Sequence, residues 1–167
     1  MTLIVVMSAA VVAAAGPAVA APSPTLTRYP YLTDSVQTSI TINWASDRSA
    51  STGSVTWGPA GSCAANTTAA TTRTSITVGS KPEYQWAATI PVTPDTAYCY
   101  RPKLAGTDLL GSDPSPVFTS QVAAGSSAPF SFDVFGDWGQ AYANGNPDQA
   151  NVLNQMSISG ARFAVMT

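Results

Sequence analysis

Thr38-Ser39-Ile40-Thr41-Ile42-Asn43-Trp44 alternates polar and apolar side chains, which puts Ile40, Ile42 and Trp44 on one face of an extended chain. Such a period of two predicts a half-buried strand, and the pattern recurs on both sides of it. A first strand is expected over Thr27 to Leu32. Val55 and Trp57 repeat the alternation before the turn at Gly58-Pro59, Ile76 and Val78 form a short run, and Tyr84, Trp86, Ala88 and Ile90 form another, closed by Pro91 and Pro94. Tyr98 and Tyr100 follow, then Val117 or Phe118. About seven short strands separated by turn residues predict a mostly β fold, an immunoglobulin-like or fibronectin type III-like sandwich over residues 25–120.

The composition agrees and removes several function classes. The chain has 167 residues, enough for one or two small domains, with 13 Pro and 12 Gly to punctuate it. Seven Lys+Arg stand against nine Asp+Glu, a net charge of −2, so no basic field exists to grip a nucleic acid. There is no histidine, which excludes a histidine-dependent active site built from these residues alone.

Residues 1–20 read as a signal peptide. Leu3 to Ala15 is an unbroken run of apolar and small residues, and Ala18-Val19-Ala20 is a cleavage site of the A-x-A kind, so cleavage after Ala20 and a secreted, extracellular location are expected. The run is shorter than the ~20 residues that cross a bilayer, so no stable membrane span is expected after cleavage. No Lys or Arg precedes the run, which departs from the signal pattern and points to a start upstream of Met1.

Cys63 and Cys99 are the only cysteines, and in an exported chain an even pair is most simply a disulfide, two buried thiols being the alternative. With Tyr98 and Tyr100 facing inward, Cys99 faces outward, so the bond would staple the loop after Pro59 to a sheet surface. Pro102 is expected to limit the strand that carries Cys99, because proline donates nothing to a ladder. Asn66-Thr67-Thr68 is a glycosylation sequon in a Thr-rich loop, of consequence only in a host that glycosylates.

Residues 121–129, with Ala123-Ala124-Gly125-Ser126-Ser127-Ala128-Pro129, read as a linker. A second unit, 130–167, begins with an apolar strand through Phe130, Phe132, Val134 and Phe135 that ends at Gly136-Asp137-Trp138-Gly139-Gln140. Asn146-Pro147-Asp148-Gln149 is a helix start, with Asn at the cap and Pro at the first position. The helix is expected to turn Val152, Leu153 and Met156 inward and to stop near Gly160, and Arg162 to Met166 to form a parallel second strand. Strand, helix and strand make a right-handed βαβ unit. A lone unit of this kind leaves sheet faces and edges uncovered, so 130–167 is expected to be the incomplete start of an α/β domain and less protected than the sandwich.

Asp137 lies beyond the carboxyl end of its strand, between Gly136 and Gly139, where open α/β sheets bind ligands. A carboxylate there is a hard metal ligand, or else a turn Asp capping its own loop. Trp138 either walls the cleft or packs against the turn.

Tyr29-Pro30-Tyr31-Leu32, Ser39 to Trp44, Pro94-Asp95-Thr96-Ala97-Tyr98-Cys99-Tyr100-Arg101 and Phe130 to Gln140 together resemble the front of secreted purple acid phosphatase-like metallophosphoesterases. The resemblance implies a fibronectin-like N-terminal domain and the start of an α/β catalytic domain that holds iron with a second divalent metal, Zn, Mn or Fe. Gly136-Asp137-Trp138-Gly139 matches the family's Gly-Asp-x-Gly motif, which makes Asp137 a ligand of the iron site. The bridging Asp, metal-bound Tyr, Asn and His ligands would follow Thr167, so no residue here takes those roles, Tyr29, Tyr31 and Tyr142 included. The function implied is hydrolysis of phosphate monoesters by two metals, with a phosphate ester as substrate, in a longer protein of which this chain alone is inactive and holds no metal pair. A phosphodiesterase or nucleotidase of the same superfamily is a further possibility. The alternative is a secreted fibronectin-like binding or adhesion module without catalysis. That module needs an exposed aromatic platform, whereas Trp44, Trp57 and Trp86 alternate with other apolar residues, which favours a core.

Overall fold

A computed structural model of the chain describes residues 23–70, 72–136 and 147–166. Nine strands make up the first part: β1 (Leu26–Val36), β2 (Ser39–Ser46), β3 (Gly53–Pro59), β4 (Asn66–Ala69), β5 (Thr72–Val78), β6 (Lys81–Pro91), β7 (Ala97–Leu104), β8 (Thr107–Asp108) and β9 (Val117–Thr119). They form two antiparallel sheets, one ordered β1-β2-β6-β5 and one ordered β4-β3-β7-β8, with β9 also on β7. The register follows the alternation in the sequence. Ile40 pairs with Ile90, Ile42 with Ala88 and Trp44 with Trp86, so the apolar faces of β2 and β6 coincide.

These side chains meet Val55 and Trp57 of β3 and Tyr98, Tyr100 and Leu104 of β7 in one core, the interior of a β sandwich. The Trp44 and Trp86 rings stack 6.4 Å apart at 12°. Trp86 Nε1 donates to Ser46 Oγ and Trp57 Nε1 to Thr68 Oγ1, both at 2.9 Å, so two of the three indoles place their polar edge on a hydroxyl. The third does not: Trp44 Nε1 is the one buried side-chain polar atom without a partner among the described residues.

Three departures from the sequence reading have local causes. The Thr-rich stretch read as a loop contains β4, an edge strand; its largely exposed residues carry no apolar alternation, and Asn66 of the sequon pairs with Trp57. The two-residue β8 has no pattern to find. Pro102 does not end β7, which runs on to Leu104. The Tyr100 N–H and the Pro102 carbonyl face the same side, where they meet Pro116 and Leu109. The missing proline N–H therefore falls in the gap between β9 and β8, and β3 keeps its ladder through Val55 and Pro102.

Cys63 and Cys99 form a disulfide, with Cα atoms 5.0 Å apart. Cys99 lies on the face of β7 opposite Tyr98 and Tyr100 and is buried by the loop 59–65 instead of by the core. Gly58, opposite Cys99 in the ladder, admits that loop: a Cβ there would sit 2.1 Å from the Ser62 carbonyl oxygen.

The start of β1 is tied to the end of β2 by Asp47. Its Oδ1 accepts from the Thr25 N–H at 3.0 Å, and its own N–H donates to the Thr25 carbonyl at 3.1 Å. The Arg48 guanidinium donates to both carboxylate oxygens and, aided by the Thr25 N–H, holds the Asp47 pKa down at about 2. A depressed carboxylate stabilises the fold above its unfolded-state pKa of about 4, and the contribution is lost as pH falls through the folded value. Asp47→Asn is therefore expected to flatten the acid limb of stability between about pH 4 and 2 in urea titrations, and a limb as steep as the parent's would contradict this.

The second part comprises β10 (Asp133–Phe135), α1 (Pro147–Ile158) and β11 (Ala164–Met166). β10 and β11 are parallel, with Phe135 opposite Met166. Both strands are shorter than expected, and α1 stops two residues before Gly160, which takes φ 74°. Val152 and Leu153, expected to face inward, stay 43% and 50% exposed, and no side chain of α1 is buried. A pair of three-residue strands is too small to cover a helix face. Phe132 and Phe163 stack 5.3 Å apart beside Phe130, all three half exposed. No described helix is long and apolar enough to cross a membrane.

Candidate metal centre at the carboxyl end of β10

β10 ends at Phe135, and Gly136 leaves it. Because β10 and β11 are parallel and joined through α1, the carboxyl ends of both strands and the first turn of α1 share one end of the unit. Asp148 lies in that first turn, where a carboxylate complements the helix dipole. This end is where α/β sheets present ligand-binding loops. Asp137, Trp138 and the cap Asn146 lie outside the described residues, as does the signal-peptide stretch 1–20. Among the described residues, no group of three or more His, Cys, Asp or Glu is placed to hold a metal ion.

The remaining concavities and polar clusters serve other ends. An open groove of about 630 Å³ between α1 and β10 is lined largely by Val134, Phe135, Val152, Met156 and Ile158, so it offers apolar surface and no ligand set. A notch of about 590 Å³ between the sandwich and the second part includes Gln37, Gln121, Phe130, Arg162 and Phe163. It sits at the amino end of β11, the opposite end from Gly136.

The densest polar cluster surrounds Arg101 on β7. Its guanidinium donates to both carboxylate oxygens of Asp108, to the Asp113 and Gly111 carbonyls and to Ser115 Oγ. Burial pushes the Asp108 carboxyl up, but Arg101 and the Leu110 N–H outweigh it and hold the pKa below the ordinary value. Tyr29, on the edge strand β1, donates to Asp113, which raises its own pKa. Every donor of Arg101 is occupied, so its guanidinium pins the 108–115 segment and has no N–H to spare for a ligand. Tyr31 is also on β1, and Tyr100 is a core residue whose pKa burial pushes up to about 12. Arg101 closed one of the quoted motifs, but nothing in its spacing announced its partners, which arrive from a loop. No protein-family model matches the chain, and no curated protein does.

Proposed function

We propose that the chain is the front of an exported metal-dependent phosphatase: a fibronectin type III-like N-terminal domain, a linker, and the first βαβ unit of a metallophosphoesterase catalytic domain. The observation that carries this reading is the Gly136-Asp137-Trp138-Gly139 motif at the point where the chain leaves β10, on the end of a parallel strand pair where such folds bind ligands. The sheet order β1-β2-β6-β5 facing β4-β3-β7-β8, with β9 also on β7, supports the immunoglobulin-like half of the reading.

Asp137 would hold iron in a pair completed by zinc, manganese or a second iron. Such a pair would supply Lewis-acid chemistry for hydrolysis of a phosphate monoester. Residues 1–167 contain no histidine and this single motif carboxylate, so they do not fit a complete pair, and on this reading the remaining ligands would be supplied from outside them. The burial of Trp44, Trp57 and Trp86 removes these three from any aromatic platform, so the binding-module alternative would have to rest on the exposed Tyr29 and Tyr31 of β1 or on Phe130, Phe132 and Phe163. The gene supplies the first test. In-frame codons after 167 that encode a Gly-Asp motif with a nearby Tyr, then Asn and His motifs, are expected, and an immediate stop codon would refute the reading.

A further inference from the structure

The residues between the sandwich and the second part form a receptor for one guanidinium. Ser120 follows β9 and is buried. Its N–H donates to the Thr96 carbonyl at 3.0 Å, its Oγ to the Thr93 carbonyl at 2.6 Å, and the Thr96 N–H returns a bond to Oγ at 2.9 Å. Asp95, between them in the chain, donates its N–H to the Gln121 carbonyl at 2.8 Å and holds φ at 54°, a left-handed backbone that few residues other than glycine adopt. The Gln121 side chain in turn donates to the Ser35 carbonyl at 2.6 Å. The β6–β7 loop and the end of β9 are thus cross-bonded into one rigid surface that presents two acceptors, the Ser120 carbonyl and the Asp95 carboxylate.

Arg162 fills both. From the approach to β11 its Nη1 donates to the Ser120 carbonyl at 2.9 Å and its Nη2 to Asp95, while its backbone N–H donates to the Ser131 carbonyl at 2.9 Å and so ties it to the chain entering β10. An exposed ion pair alone is weak, but a planar fork meeting two fixed acceptors loses little further entropy and is strongly directional. We propose that Arg162 is a positioning residue, the pin by which the sandwich fixes the register and orientation of the β10–β11 unit. The linker would then be held on both sides: Gln121, its first residue, is bonded to the sandwich, and Ser131, two residues past its end, to Arg162. The inference rests on this geometry and stands apart from the phosphatase reading, because its test needs no activity.

The test is amide hydrogen exchange on the 167-residue chain. Arg162→Ala is expected to speed exchange across residues 160–166 by about tenfold or more and to leave the amides of β2, β6 and β7 unchanged. Arg162→Lys, which keeps the charge but not the fork, is expected to recover only part of the protection. Asp95→Asn, a change confined to the sandwich side, should speed the same amides to a smaller degree. Exchange in Arg162→Ala within twofold of the parent, or full recovery by lysine, would overturn the proposal.

Discussion

Trp44→Ala is expected to lower the unfolding free energy of the sandwich by about 3–5 kcal/mol, a large part of the ~5–15 kcal/mol that a small domain has. Trp44 is 1% exposed, stacks on Trp86 and faces the second sheet, so truncation opens a cavity between two layers that cannot close on it. One term acts the other way. The indole N–H of Trp44 lacks a partner, and removing it relieves the cost of an unsatisfied buried donor. Trp44→Phe, which keeps a ring and drops the N–H, is therefore expected to cost far less than Trp44→Ala. Urea unfolding of the three proteins at equal m-value decides the matter, and a phenylalanine variant as unstable as the alanine one would contradict the packing described.

Loss of the disulfide should cost nearly as much. Cys63 and Cys99 are 36 residues apart, and in the chain-entropy model opening a loop of that size removes roughly 4 kcal/mol by enlarging the unfolded ensemble. The bond lies outside the main core, so a Cys63→Ala, Cys99→Ala pair should keep the sandwich register while freeing the 59–65 loop. The unfolding midpoint of the parent is expected to fall on addition of reductant, and that of the double variant to be insensitive to it. A parent whose stability is unchanged by full reduction would contradict the bond as a stabilising crosslink.

How far the sequence can be read differs between the two parts for physical reasons. In the sandwich, Ile40, Ile42, Trp44, Trp86 and Ile90 were legible because large apolar side chains recur there with a period of two, which marks the core-facing side of β2 and β6. β4 and β8 were not legible because an edge strand with exposed residues has no such contrast, and Pro102 misled because its effect depends on which side of β7 its nitrogen faces. In the second part, the order of strand, helix and strand and the end of the helix near Gly160 were legible from the apolar runs and the turn residues between them. The inward face assigned to α1 was not realised, since Val152 and Leu153 find too small a surface to cover them. The Arg162 contacts could not be foreseen. Asp95 and Arg162 are 67 residues apart and belong to no shared motif.

In the function proposed above, Asp137 begins a two-metal phosphoesterase centre. Metal content, together with turnover of an aryl phosphate, should be determined for the protein encoded by the complete reading frame and for its Asp137→Asn variant. Two metals per chain, one of them iron, with turnover that falls together with the iron in the variant, is the predicted result. A folded product that binds no metal pair, or an asparagine variant that keeps both metals and full turnover, would contradict it.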